Sequence, residues 1–327
     1  MKIGLTYDLR SEYLKEGYSN EETAEFDKED TIEGIEGAIK SLGHEPERIG
    51  NIKQLIQKLA SGKRWDIVFN IAEGMYGIGR EAQVPAILDA YKIPYVFSDP
   101  LVLTITLHKG MAKRIVRDLG LPTPDFVIVN SEEDIDTINL PFPLFAKPVA
   151  EGTGKGISAN SKINNKKELV ETCKSILQKF QQPVLVETYL PGREFTIGVV
   201  GNYNFARVIG VMEIIIEELA EQEAYSYYNK ENYENLVRYE KVEDKAIIKQ
   251  CSDLALKIWQ GLGCNDGGRL DVRMDIEERI NFIEINPLAG LRPVHSDLVI
   301  LAEMNGINYN QLITMILNAA IKRCKLS

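Results

Sequence analysis

Apolar residues run almost unbroken over residues 2–7 and 66–71, and between them recur at helical spacing over 31–42, stopped by Gly43, and again over Ile52–Ala60. Strand and helix therefore alternate, which predicts a parallel sheet with crossover helices and a ligand cleft past the carboxyl ends of the strands. Thr6, Tyr7 and Asp8, with Ala72, Glu73 and Gly74, are predicted to line that cleft. Helices over 81–90 and 109–119 lead to Pro122 and Pro124, which break the pattern. A smaller unit starts near Pro100, with strands at Phe126–Val129 and 144–147, a Gly-rich turn, a helix at Lys166–Phe180 and a strand at 184–187. Beyond Gly192 come strands at 195–200 and 205–211, a polar, Tyr-rich stretch over 217–237, a helix over 244–261, a strand pair at 267–275 and 283–287, and a closing helix over 310–323. This divides the chain into units at 1–98, 99–190 and 191–327.

Composition narrows the class. The chain has 327 residues, 44% of them hydrophobic and 26% charged, enough for two or three domains of a soluble globular protein. A net charge of -10 without long Lys-rich runs argues against a nucleic-acid partner. Cys173, Cys251, Cys264 and Cys324 lack metal-type spacing and read as reduced thiols. With no basic-plus-apolar leader and no run of 18 apolar residues, the expectation is a cytoplasmic protein with no membrane partner.

The candidate chemistry sits on the late strand pair. Asp271, Glu284 and Asn286 fall on adjacent apolar strands, and oxygen-only side chains suit Mg²⁺ shared with phosphates; zinc would call for His or Cys. Two ordinary strands with water-facing polar residues are the competing reading. Arg269 shares a strand face with Asp271, as does Arg273, and a guanidinium there suits a developing oxyanion. Upstream, Lys147 ends a strand and is followed by Pro148-Val-Ala-Glu-Gly-Thr-Gly-Lys-Gly156, whose glycines allow backbone amides to fold over phosphates; a flexible hairpin turn would look the same. Lys109 opens a helix, where a cation opposes the helix dipole unless it meets an anion or is simply solvated. Glu187 and Glu194 flank a turn and could take an adenine amino group and ribose hydroxyls, although solvated glutamates would read alike. His44, His108 and His295 are too scattered for a metal cluster.

Together these residues resemble, in order and spacing over essentially the whole chain, the ATP-grasp superfamily and its D-alanine–D-alanine ligase branch. Glu151-Gly-Thr-Gly-Lys-Gly-Ile is similar to that family's Glu-Gly-Ser-Ser-Val-Gly-Ile, Gly268-Arg-Leu-Asp-Val to Gly-Arg-Ile-Asp-Val, and Glu284-Ile-Asn to Glu-Ala/Ile-Asn. The resemblance implies an α/β (α+β) ATP-grasp fold of three subdomains, with a parallel-sheet N-terminal domain and the nucleotide between the central and C-terminal domains. It implies that Lys109, Lys147 and Lys230, with the Gly152 and Gly154 backbone, contact the phosphates of ATP. Glu187 and the backbone of Thr188 to Leu190 would hold adenine, and Glu194 ribose. Asp271, Glu284 and Asn286 would hold two Mg²⁺ ions, with Mn²⁺ as a substitute, Arg269 would stabilise the oxyanion, and Thr153 and Ser296 would serve the reacting groups, Ser296 with Gly290 beside the amine.

The implied reaction joins a small-molecule carboxylate, activated as an acyl phosphate, to an amine. The Gly152–Gly156 loop and residues 222–235 are expected lids. A homodimer is open, since the family commonly forms one, and residues 85–95 could contribute to it.

Departures concern the substrate. The family's opening Gly-Gly-x-Ser-x-Glu, whose glutamate orients the first amino acid, is replaced by Thr6-Tyr-Asp-Leu-Arg10, so that selector reads as missing. Its His-Gly-x-x-Gly-Glu-Asp-Gly segment becomes Ala72 through Ala82, and the Asp before the first lysine becomes His108. The lid's Lys-Tyr pair aligns with Lys230-Glu231, leaving Tyr233 as the nearest tyrosine. The expectation is therefore an amide-forming ligase with altered substrates, against a non-catalytic nucleotide-binding homologue and a carboxylate kinase or carboxylase.

Overall fold

The computed structural model describes residues 1–216 and 237–326. Its first sheet has the order β2-β1-β3, all parallel, with β1 at Lys2–Thr6, β2 at Glu45–Gly50 and β3 at Ile67–Asn70. β2 escapes hydrophobic patterning because it is an edge strand, Glu-Pro-Glu-Arg-Ile-Gly, and charge and proline are what an open edge tolerates. Helices α1 (Arg10–Lys15), α2 (Glu29–Ser41), α3 (Ile52–Ala60) and α4 (Gln83–Ala90) follow the crossover plan. α3 starts on a capping box in which Asn51 and Gln54 satisfy each other's amides.

The run Pro100–Leu107 is almost wholly apolar and carries no helical period, yet it forms α5, because Asp99 accepts the Val102 amide at 3.0 Å and Pro100 occupies the first turn. α6 (Lys109–Asp118) follows directly. The central sheet has the order β4-β7-β5-β6, with β4 at Phe126–Val129, β5 at Leu144–Pro148, β6 at Lys162–Ile163 and β7 at Val184–Thr188; α7 (Lys166–Phe180) packs on it.

The third sheet runs β10-β9-β8-β11-β12 and is antiparallel throughout: β8 at Glu194–Val200, β9 at Arg207–Ile216, β10 at Val237–Lys241, β11 at Gly267–Met274 and β12 at Ile280–Asn286. The strand expected over 205–211 is corrected at both ends. Tyr203–Phe205 is a tight 3₁₀ turn, and β9 continues to Ile216, where Val237 pairs with it from the far side of the polar stretch. α8 (Lys245–Leu262) begins on Asp244, which accepts the amides of Ala246 and Ile247, and ends on Gly263 at φ +75°.

Two closing helices, α9 (Asp297–Met304) and α10 (Tyr309–Arg323), belong to the first sheet's core: Leu298, Leu312 and Ile316 pack with Ile3, Leu5 and Phe69. The tie is electrostatic as well. Arg323 grips fully buried Asp266 through Nε at 3.1 Å and Nη2 at 2.6 Å, and Nη2 also donates to the carbonyls of Tyr95 and Phe97. Removing one member of such a pair strands a buried charge, so Arg323→Ala is expected to cost about 3–5 kcal/mol in urea unfolding; a loss under about 1 kcal/mol would show that the pair does not fasten the chain's end. Among the described residues no helix is long and apolar enough to cross a membrane, and the four cysteines are free.

Candidate functional site

A cleft of about 780 Å³, part of it open solvent, is walled by both the central and the C-terminal sheets. From the central sheet come Phe145 and Lys147 on β5 and Glu187 on β7; Phe145 pairs directly with Glu187, so these side chains share a face. From the C-terminal sheet come Glu194, Asp271, Arg273 and Glu284. Of the expected nucleotide residues, Lys109, Lys147, Gly154, Glu187, Thr188, Leu190 and Glu194 all line this one cleft.

Charges of alternating sign run along its floor. Lys113 Nζ lies 2.7 Å from Glu187 Oε2, Lys147 Nζ 3.3 Å from Glu187 Oε1 and 3.9 Å from Glu284 Oε2, and Lys109 Nζ 3.7 Å from that same oxygen. Burial alone would raise the Glu187 carboxyl, but Lys113 and Lys147 outweigh it and hold the group below the usual carboxylate range. Burial pulls Lys109 down despite Glu284, whereas Glu187 and Glu284 overcome burial at Lys147 and raise it. Three lysines thus meet two carboxylates along this line, and Glu151, Glu194 and Asp271 add negative charge around the cleft that a cation or Arg273 and Lys155 must balance.

The turn after β7 lines the cleft through Thr188, Tyr189 and Leu190. The amides of Thr188 and Tyr189 are spent on the carbonyls of Asp125 and Pro143, so of the expected backbone contacts only the Leu190 amide and the carbonyls remain for a ligand. Arg273 lies 5.4 Å over the Tyr189 ring and 3.4 Å from Glu194. Glu187 lines the cleft, and its Oε2 is buried against Lys113.

The metal candidates are set by strand register. Asp271 pairs with Glu284 and Arg269 with Asn286, so all four side chains project from one face of β11 and β12. Gly268 permits the close approach: a Cβ there would stand 2.5 Å from the Asn286 carbonyl. Thr196 donates to Asp271 Oδ1 at 2.8 Å, while Arg269 Nη1 pairs with Oδ2 and its Nη2 lies 3.8 Å from Asp297. Burial opposes the Arg269 charge, but Asp271, Asp297 and Glu284 raise its pKa further. Two opposed carboxylates with an amide oxygen alongside fit a hard cation shared with phosphate, and no group of three or more His, Cys, Asp or Glu forms a metal cage among the described residues.

The Gly-rich loop closes through turns: the Lys155 amide donates to Gly152 O and the Ile157 amide to Gly154 O. Gly156 is required at its end, since at φ +76° an added Cβ would sit 2.4 Å from Pro148 Cγ. The loop is held from outside by an ion network absent from the spacing argument. Glu25 accepts the Gly152 amide at 2.5 Å and pairs with Arg80 at 2.9 Å and Lys155 at 3.2 Å; Lys155 also meets Glu151 at 2.5 Å. Burial would raise Glu25, yet Arg80 and Lys155 bring it down to about 2.

Glu25 revises the reading of the N-terminal segment. At the strand end, Asp8 is buried and used internally, by Tyr13 OH and the Gly74 amide. A carboxylate instead reaches the loop from further along the chain, and Thr23-Ala-Glu25 carries the hydroxyl-x-Glu spacing that would have signalled it. Beyond Glu25 lie Glu73, raised well above the usual range by burial and Glu81, and Glu81, pushed up to about 7 by burial. His108 stands in for an aspartate and caps α6 all the same. Its Nδ1 accepts the Met111 amide at 3.2 Å, and burial pushes the ring's pKa down.

Gly152, Thr153, Asn286 and Ser296 are not among the cleft walls, and Arg269 reaches it only beside Asp271. Thr153 adopts φ 52° in the loop, and Ser296 Oγ accepts the Arg292 amide at 2.8 Å. Lys230, Glu231 and Tyr233, with the lid expected over 222–235, lie outside the described residues.

A family model described as D-ala D-ala ligase C-terminus matches residues 115–318. The chain is 31% identical over 288 residues to the D-alanine–D-alanine ligase of Aquifex aeolicus, covering 88% of this chain and 93% of that protein. It is 30% identical over 303 residues to the uncharacterized protein y4sG of Sinorhizobium fredii, covering 89% and 87%. In three dimensions it superposes on the D-alanine–D-alanine ligase of Bacillus anthracis complexed with ATP with a TM-score of 0.75 over 99% of both chains, at 21% identity, which is a likeness of fold.

Proposed function

Because the chain belongs to the D-alanine–D-alanine ligase family of ATP-grasp enzymes, ATP-dependent ligases that form C–N bonds, we propose that it joins a small carboxylate or amino acid to an amine through an acyl phosphate, with a substrate choice of its own. The observation that carries this is the alternating charge line, Lys113–Glu187–Lys147–Glu284–Lys109, beneath a cleft whose far wall holds Asp271. A phosphate chain laid along it would exchange Glu284 for its own oxygens at Lys109 and Lys147. Glu187 and the Leu190 amide would take adenine and Glu194 the ribose. Asp271, Glu284 and Asn286 would hold Mg²⁺, which supplies neutralisation of phosphate charge when bound.

Arg269, held by Asp271 and Asp297, would stabilise the tetrahedral oxyanion formed when the amine attacks. The Gly-rich loop, tethered through Glu25, keeps water from the acyl phosphate. Substrate choice rests with the Glu25, Glu73, Arg80 and Glu81 neighbourhood. A non-catalytic homologue is disfavoured, since the lysines and carboxylates of the described site are all in place.

The test is ADP release across a panel of D- and L-amino acids and other carboxylates with amine acceptors, with mass detection of the amide. ATP consumption with amide formation for at least one pair is expected. ATP binding with no turnover for any pair would sink the ligase reading, and acyl phosphate without amide would make the protein a kinase.

A further inference from the structure

Lys113 is not a wall of the cleft, yet it bears directly on one. It sits one helical turn after Lys109 on α6, wholly shut off from solvent. Its Nζ is anchored at 3.0 Å to Thr123 Oγ1 and 3.2 Å to the Phe282 carbonyl, and Thr123 Oγ1 donates to that same carbonyl at 3.0 Å. The ammonium is thus pinned between the segment before β4 and strand β12, two residues ahead of Glu284. From there it lies 2.7 Å from Glu187 Oε2, a charge-assisted contact that leaves the oxygen a second lone pair.

The consequence follows from the other end of the carboxylate. Lys147, 3.3 Å from Oε1, would be the only other cation against this buried group among the described residues. Left with a single cation, the buried carboxylate would be drawn toward it. That would pull Lys147 off the phosphates and the carboxylate off the base. With Lys113 behind, the two oxygens are divided.

We infer that Lys113 is a positioning residue for the nucleotide: by fixing Glu187 from behind through Oε2 it sets the orientation of the carboxylate beside the base and so the preference for an adenine amino group, and it leaves Lys147 to the phosphates. This rests on the reading of Glu187 as the adenine contact, and the experiment separates the two. The ratio of kcat/KM for ATP to that for ITP, which carries a carbonyl oxygen where adenine has its amino group, is measured in the full-length protein and in E187Q, K113Q, the double variant and T123V. K113Q removes the charge and leaves a polar amide on a side chain one atom shorter. T123V loosens the anchor without stranding a buried charge, which guards against a K113Q that fails to fold.

E187Q is expected to collapse the ATP preference. K113Q should reduce it about tenfold or more, the scale of one hydrogen bond to a charged group, mainly through KM. T123V should lower it by less, and K113Q should add nothing on top of E187Q, the mark of action through that residue. An unchanged ratio in E187Q removes the adenine reading and the inference with it. A collapse in E187Q with wild-type ratios in K113Q and T123V, or an undiminished K113Q effect in the E187Q background, overturns the inference alone.

Discussion

Asp271→Asn and Glu284→Gln each lower turnover by at least about 100-fold, the scale on which even outer contacts of a metal site matter, and they do so by different routes. Asp271 is buried and already shared by Thr196 and Arg269, so the asparagine keeps the shape but offers the cation a neutral oxygen and Arg269 a weaker partner. Glu284 is the counter-ion of both Lys109 and Lys147. Its glutamine frees those lysines, so metal-free ATP should bind at least as tightly as before while the Mg²⁺ concentration for half-maximal activity rises. ADP release titrated with Mg²⁺, beside calorimetric ATP binding, checks both statements. Activity within threefold of the unaltered protein in both variants would remove the metal assignment.

Arg269→Lys is expected to lower kcat by about 10²–10³-fold, the cost of losing a preorganised oxyanion contact, with ATP affinity changed less than about threefold. The guanidinium spans Asp271 and Asp297 with separate nitrogens, and Asp297 is itself held by Tyr239 OH at 3.2 Å. A lysine keeps the charge but cannot reproduce that fork. Steady-state kcat and KM with a saturating carboxylate and amine decide the matter. A raised KM for ATP at unchanged kcat would move Arg269 from the oxyanion to nucleotide binding.

The strands that carry the site were readable because their information is local. Period-two alternation put Arg269 and Asp271 on one face, and the next apolar strand supplied Glu284 and Asn286; register then made them direct partners. The same holds for Lys147 and Glu187, each at the end of a buried strand. Where local pattern is weak the reading stopped short: β2 is a charged edge strand and α5 is apolar almost throughout.

Ion pairs between distant segments leave no period in the chain. Glu25, Arg80 and Lys155 meet from three stretches, and Lys113 finds Glu187 only after α6 and β7 are packed. The spacing around Glu25 can mark a carboxylate of interest, but it does not announce that the Gly152 amide will be its partner. The closing helix over 310–323 was likewise legible without saying that it completes the first sheet's core, and the helix before it, Asp297–Met304, was not read.

The sequence by itself thus determined the family and brought out the candidate nucleotide and metal donors, because side-chain periodicity along a strand and glycine's backbone freedom act over a few residues. Only the tertiary structure decided how those donors are charged and aimed, because the counter-ions of Glu187, the tether of the Gly-rich loop and the partners of Arg269 come from elements far apart in the chain, where burial makes each pairing strong.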